Sequence, residues 1–372
     1  MYEFLILQSK SMDSKGGLFW WNMLGLMLLT MAFIFPHQAA AENRKAVLPP
    51  EMELPIQVRL GMHLVDISHI HETSHETTAV IEWMIRWKDR RESFDAIERG
   101  TSRNDYVEES AVARLASMWT PGVVVENIAG APINRSVALS IYASGEVVLI
   151  RRMEANFRIP VDMGAFPFDR QHLSFAFMTP TYASDDVVLI TTELDRQLST
   201  AEQKLSTVNW QAQAHPDFTQ EQFYGWNAKP FSRIVATVTV ERKFQRYILR
   251  IFVPFIAAVL FSSLFLLWAP ESALSQKASV IFSSLLALAA LSFAYESNFP
   301  GSISMNSPIA FMISVGYFYL PGVLATSVLL TNTKFAFADR YPYLIPEIKR
   351  NVRWTLPLTM MIICVASVLR AL

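Results

Sequence analysis

Four long stretches without a charged residue crowd the last third of this 372-residue chain, and they constrain its fold more than any other feature. Ile251–Pro270 runs for 20 residues and Ala278–Tyr295 for 18. A third run, Ser297–Thr333, contains an apolar stretch from about Pro308 to Leu330, and a fourth extends from Trp354 to Leu369. Each is of the length that crosses about 30 Å of hydrocarbon as a helix. The C-terminal part, 247–372, is therefore expected to be a transmembrane domain of four helices at about 247–269, 273–296, 307–331 and 353–372.

Composition agrees. Charged residues make up 17% of the chain, against a soluble norm of about 25%, and mean hydropathy is +0.25. With 32 basic and 33 acidic residues there is no cationic excess to neutralise a phosphate backbone, which excludes nucleic acid as a partner. A single cysteine, Cys364, excludes an intrachain disulfide and reads as a packing or lipid-facing residue.

Near the N-terminus, Leu18–Phe35 is apolar, preceded by Lys10 and Lys15 and followed by Ala39, Ala40 and Ala41. This pattern is expected of a secretory signal peptide over 1–41, with a retained fifth membrane helix as the alternative and Met12 as a second possible start. The polar segment 42–246 reads as β structure. In "TAVIEWMIRW" Ala79, Ile81, Trp83, Ile85 and Trp87 alternate with polar or mixed neighbours. "SVALSIYASGEVVLI" turns at Ser144-Gly145 as a hairpin, "FSRIVATVTVERKF" is a strand feeding the first membrane helix, and Val107–Ser117 is a helix. Short strands over about 200 residues indicate a β-sandwich. Lys277 and the cluster Lys334, Arg340, Lys349, Arg350 and Arg353 orient the loops that carry them to the cytoplasm, leaving the β-domain outside. The fold class is thus an extracellular or periplasmic β-sandwich followed by a four-helix transmembrane bundle.

Within that frame, "FRIPVDMGAFPFDRQHLSFAF" (Phe157–Phe177) resembles the signature loop of the pentameric ligand-gated ion channels, the Cys-loop receptors, through Phe166, Pro167, Phe168, Asp169 and Gln171. Ile159 and Leu173 stand where animal members carry cysteines, as in the bacterial branch. Trp87 and Asp89 in "WKDRR", Trp119 and Pro121 in "MWTPGVVVEN", and Pro254 in the first membrane helix extend the resemblance over about residues 50–372. Proline fixes φ and cannot continue a strand, so Pro167 shapes a loop tip that Phe166 and Phe168 can bury against the membrane domain. Asp169 would be costly to bury unpaired. The resemblance implies Arg242 as its partner and assigns Phe166, Pro167, Phe168, Asp169, Arg242 and Pro254 to the coupling of ligand binding to gating.

Along the second membrane run, Ser279, Ser283, Leu286, Ala290, Phe293 and Ser297 recur in steps of three and four, which puts them on one helical face. Five copies around an axis would give a hydroxyl-lined inner mouth and an apolar constriction near Leu286. The resemblance places Leu286 at the central gate and Lys277 at the inner mouth. A shifted register would instead expose Val280, Ser284, Ala287, Leu291 and Ala294. A packing helix with small and hydroxyl residues reads the same way taken alone. Glu296 as an outer acidic ring favours cations.

The family binds agonists between subunits beneath a hairpin, which corresponds here to "DFTQEQFYGWNAKPF" with Phe223, Tyr224 and Trp226. Their faces could hold an ammonium group. Glu82, Glu126 and Pro180 occupy the remaining positions of the aromatic box, and two acids facing three aromatics suit an amine or protons. His63, His69 and His71 share parity on the first strand and read as surface histidines rather than a metal site. No nucleotide-binding loop or nucleophile motif is present, so an enzyme is not expected, and no cofactor or metal is implied. The expectation is a bacterial, homopentameric, cation-conducting ligand-gated ion channel of this family in the inner (plasma) membrane. Its partners are copies of itself, a small-molecule agonist or protons, permeant ions and the lipid bilayer. A non-conducting receptor of the same architecture is the alternative.

Overall fold

The computed structural model describes residues 48–49, 52–225, 228–270, 274–303, 307–332 and 343–371. The expected signal peptide and cleavage point, Trp226, Lys334, Arg340 and part of the loop after Phe299 lie outside these residues. The chain divides into two units, up to Pro50 and from Glu51, and the second holds every element described below.

Twelve strands come first: β1 (Ile56–His71), β2 (Glu76–Lys88), β3 (Arg103–Val107), β4 (Val124–Val125), β5 (Asn134–Tyr142), β6 (Glu146–Arg158), β7 (Arg170–Met178), β8 (Val187–Ile190), β9 (Thr200–Ala201), β10 (Trp210–Ala212), β11 (Asp217–Tyr224) and β12 (Pro230–Arg242). Short helices α1 (Ala96–Arg99), α2 (Glu109–Ser117) and α3 (Glu193–Leu198) lie among them. One sheet has the order β3-β5-β6-β2-β1-β8 with β9 beside β1; the other has β10-β12-β7-β4 with β11 beside β12.

The alternation in β2 explains the sandwich. Ala79, Ile81, Trp83, Ile85 and Trp87 are all at most 2% exposed, while each intervening side chain is only half-buried. Side chains two apart share a face, so one register commits the whole strand. Trp83 meets Phe177 of the other sheet at 5.9 Å between ring centroids, and Phe157 meets Phe175 edge-on at 4.9 Å. Ile159 and Leu173, the apolar pair flanking the signature loop, are both buried in the sandwich. The β5–β6 hairpin turns at Gly145, whose φ is +79°. A Cβ there would come within 2.7 Å of the Asp89 carbonyl, so both backbone angle and space require glycine. Asp89 itself is buried and accepts both guanidinium contacts of Arg91, at 3.0 and 2.6 Å.

At the outer end of the other edge, Thr192 and Asp195 cap α3 reciprocally, and Arg59 of β1 donates to both Asp195 oxygens at 3.0 and 2.8 Å. Burial alone would raise the Asp195 carboxyl, but the bonds from Arg59 and Thr192 hold it below its ordinary range.

β12 passes after two residues into helix α4 (Gln245–Ile256), which continues through a π-helical turn at Ala257–Phe261 into α5 (Ser262–Trp268). Pro254 lies inside α4 and lacks the N–H that an unbroken α ladder needs, and the widened turn follows directly. Then come α6 (Leu274–Asn298), α7 (Pro308–Asn332) and α8 (Leu344–Ala371). Among the described residues, four helical spans are long and apolar enough to cross a membrane. The last begins at Leu344 rather than at about 353. Its first turns are amphiphilic, with Pro346 near the start and Glu347 bonded to Arg350, so the helix extends past the apolar run that marked it in the sequence.

Candidate functional site: a buried charge node and an open helix face

The inward parity of β12 carries Ile234, Ala236, Val238 and Val240, and the next inward position is Arg242. Strand periodicity thus drives a guanidinium into the protein at the last rung before the membrane. Its side chain is 1% exposed, as is that of Asp169, which stands at the matching end of β7. Arg242 grips Asp169 with two parallel bonds, Nε to Oδ1 at 2.7 Å and a terminal nitrogen to Oδ2 at 3.1 Å. Gln171 donates to Oδ2 of Asp169 at 2.7 Å and to the Asp162 carbonyl at 2.6 Å, fixing the loop around the carboxylate.

Arg242 gathers three further segments. Glu72, in the β1–β2 turn, lies 3.4 Å away, and the Tyr247 hydroxyl in α4 accepts at 3.4 Å. The Trp210 ring lies 4.2 Å from the guanidinium carbon, across the β10–β12 register. Burial pulls the guanidinium pKa down, but the charge and hydrogen bonds of Asp169 outweigh it and the net direction is up. Arg242 therefore stays a cation and its binding partners are locked to that charge.

The loop tip completes the junction. Phe166 is fully buried; its ring stacks on Phe299 after α6 at 4.6 Å and meets Tyr247 at 5.6 Å. Phe168 contacts Phe244 at 5.1 Å. Pro167 follows a cis peptide bond. The signature loop thus touches the end of the strand domain, the first membrane helix and the segment following α6. The motif pointed to Asp169, Arg242 and the two phenylalanines. It did not point to Glu72, Trp210 or Tyr247, which carry no local pattern and meet the node only through sheet pairing or a turn.

On α6, Ser279, Ser283, Leu286, Ala290, Phe293 and Ser297 all lie exposed on the open face of the single chain, with Leu286 at 72% and Phe293 at 76%. The shifted set fares differently: Ser284 is buried, its hydroxyl 2.6 Å from that of Ser262 on α5. Lys277 corrects the sequence expectation. It is 5% exposed and turned into the bundle, where its ammonium donates to Ser327 Oγ of α7 at 3.1 Å. Its position two residues before Ser279 puts it on the opposite side of the helix from the open stripe.

Among the described residues, the expected agonist side chains sit on separate strands of one chain. Phe223 and Tyr224 stand at the end of β11, 39% and 65% exposed. Glu126 is paired with Arg233 of β12 at 3.3 Å, and Arg233 also reaches Glu221 of β11 at 3.6 Å. Glu126 is therefore a strut of the hairpin rather than a free acid, which revises the picture of two acids facing three aromatics. Glu82 belongs to the other sheet, opposite His63 and Arg152.

Residues 39–244 match the family model described as the neurotransmitter-gated ion-channel ligand binding domain. The chain is also similar to a proton-gated ion channel of Gloeobacter violaceus, 23% identical over 283 residues that cover 75% of this chain and 74% of that one. It is 22% identical over 267 residues to the human gamma-aminobutyric acid receptor subunit rho-3, covering 70% of this chain and 54% of the relative. A serotonin-gated chloride channel, mod-1 of Caenorhabditis elegans, is 24% identical over 292 residues, covering 71% and 56%.

Proposed function

Since the chain belongs to the pentameric ligand-gated ion channel family and is not an enzyme, we propose that it forms a homopentamer in a bacterial inner membrane, β-domains outward, with one α6 from each subunit around a cation-conducting pore. The observation that carries this reading is the open stripe of α6, with Ser279 and Ser283 at one end, Leu286 and Ala290 in the middle, and Phe293 and then Ser297 toward the other end. Apolar rings of that kind close a pore by excluding water. Exposed Glu296 next to Ser297 supplies an acidic ring at the outer end, which concentrates cations.

Ligand or protons act at the boundary between neighbouring subunits, where Phe223 and Tyr224 of one chain face Glu82 of the next. Stabilising one arrangement of the hairpin biases the β-domain, and the signature loop passes that bias through Phe166 to Phe299 and so to α6. The Asp169–Arg242 pair holds the loop rigid during that transfer.

The test is the reversal potential of Leu286→Ala under a sodium chloride gradient. Smaller side chains at the constriction admit water and give leak current without an agonist. Reversal toward the sodium potential is the expected result, and reversal toward chloride overturns the cation assignment. Silence from protein that reaches the membrane as a pentamer overturns the gate.

A further inference from the structure

Two histidines near the end of β1 take no part in the charge node, the hairpin or the helix stripe. The strand is bulged between Leu64 and Asp66 and again between Ile67 and His69. Beyond the second bulge Ile70 is buried, so His69 and His71, one residue to either side of it, turn to the opposite face, and both are exposed. Their ring centroids lie 5.8 Å apart, with the planes tilted by 37°. Residues two apart on a strand are separated by about 6.6 Å along its axis, so these rings lean toward each other.

Their ring nitrogens are unused. His63 bonds to Thr200, His75 accepts from the Val161 amide, His172 bonds to the Thr239 hydroxyl and His215 to the Ser199 carbonyl. Among the described residues, His69 and His71 make no such bond; the contact each makes is with the other ring. Across the ladder they stand opposite Thr78 and Glu76, and Glu76 in turn stands opposite Arg158 of β6. Two imidazoles on one tetrahedral ion, each nitrogen about 2.1 Å from the metal, place their ring centroids about 5 Å apart. The pair as it stands is wider than that by less than an ångström, which a small rotation about each Cα–Cβ bond removes.

We propose that His69 and His71 chelate one divalent transition-metal ion of the zinc, copper and nickel class. Spacing alone describes two surface histidines; the ring geometry and the unused nitrogens revise that reading. Imidazole nitrogen suits these ions, whereas calcium and magnesium demand oxygen ligands. Among the described residues no third histidine, cysteine or carboxylate joins the pair, so water fills the remaining positions and the ion exchanges with solution. Glu76 offsets part of the ion's charge from the facing strand. The ion sits one residue before Glu72, which contacts Arg242 of the charge node, and on the sheet that does not carry the Tyr224 hairpin.

Zinc chloride probes the pair directly, by isothermal titration calorimetry on the purified full-length protein, untagged and stripped of metal with EDTA, in detergent at neutral pH. Saturable binding of one zinc ion per chain is expected, and none of calcium chloride. His69→Gln and His71→Gln are each expected to weaken zinc at least tenfold; both side chains are exposed, so neither change threatens the fold. His63→Gln and His75→Gln are expected to leave binding unchanged. One equivalent of copper(II) on the unaltered protein is expected to give a paramagnetic resonance spectrum with coupling to two imidazole nitrogens. Absence of zinc binding, equal binding of calcium, affinity retained when both histidines are replaced, or coupling to a single nitrogen overturns the proposal. So does loss of binding in His63→Gln or His75→Gln, which would place the ion elsewhere.

Discussion

The Phe166 ring stacks on the Phe299 ring with centroids 4.6 Å apart and planes 29° from parallel. One ring belongs to the loop beneath the strand domain, the other to the segment that follows α6. Aromatic pairs contribute about 0.5–1.5 kcal/mol beyond their buried area. Phe166→Ala and Phe299→Ala are each expected to lower the melting temperature, and the double variant to lose less than the sum of the two. Strict additivity in the melting measurements would mean that the rings pack separately and transmit nothing to each other.

Removing the cation from the charge node costs more than removing either ring. In Arg242→Gln the Asp169 carboxylate remains buried with Gln171 as its remaining donor. Breaking a buried pair in this way costs about 3–5 kcal/mol. The expected result is a marked fall in pentamer recovered by gel filtration. Exchanging the two charges is expected to rescue only part of that loss, because an arginine at 169 has no Trp210 ring beneath it. Full recovery in the exchanged protein would show that the ring is incidental.

Lys277→Met removes a charge that faces Ser327 rather than the open stripe of α6. The expected reversal potential, measured in the Leu286→Ala background, is unchanged. A shift in that potential would place the ammonium in the ion path.

Asp195 sets a pH dependence of its own. Burial raises its pKa, but the Arg59 and Thr192 bonds outweigh this and hold the folded value below the ordinary aspartate range. A depressed acid stabilises the fold above its unfolded pKa and loses that contribution as pH falls through the folded one. Asp195→Asn is therefore expected to cost about 3 kcal/mol at neutral pH. Melting curves of the two proteins should stay apart down to the ordinary carboxylate range and converge only below it. Convergence between pH 5 and 6 would contradict the pairing.

Much of this was legible in the residues alone. The alternation of β2 is a period-two signal that burial on one face enforces, and the charge-free runs mark their helices because lipid excludes charge. The stripe from Ser279 to Ser297 follows from helical spacing. What stayed hidden depends on partners far apart in sequence. Lys277 looks like a pore residue until α7 supplies Ser327, and Glu126 looks like a free acid until β12 supplies Arg233. The early start of α8 escaped because amphiphilic turns leave no hydropathy signal.

The π-helical turn at Ala257–Phe261 has a consequence for how such chains are compared. A wide turn of this kind takes up about one residue more than an α turn, so everything beyond Phe261 is rotated by about 100° relative to an uninterrupted helix. Counting forward from Pro254 to assign faces in α5 by analogy with a relative that lacks the turn lands on the wrong side of the helix. The same extra residue is a natural place for a length polymorphism: deleting one position between 257 and 261 would restore plain α geometry while leaving Ser262 and the residues after it in their present contacts.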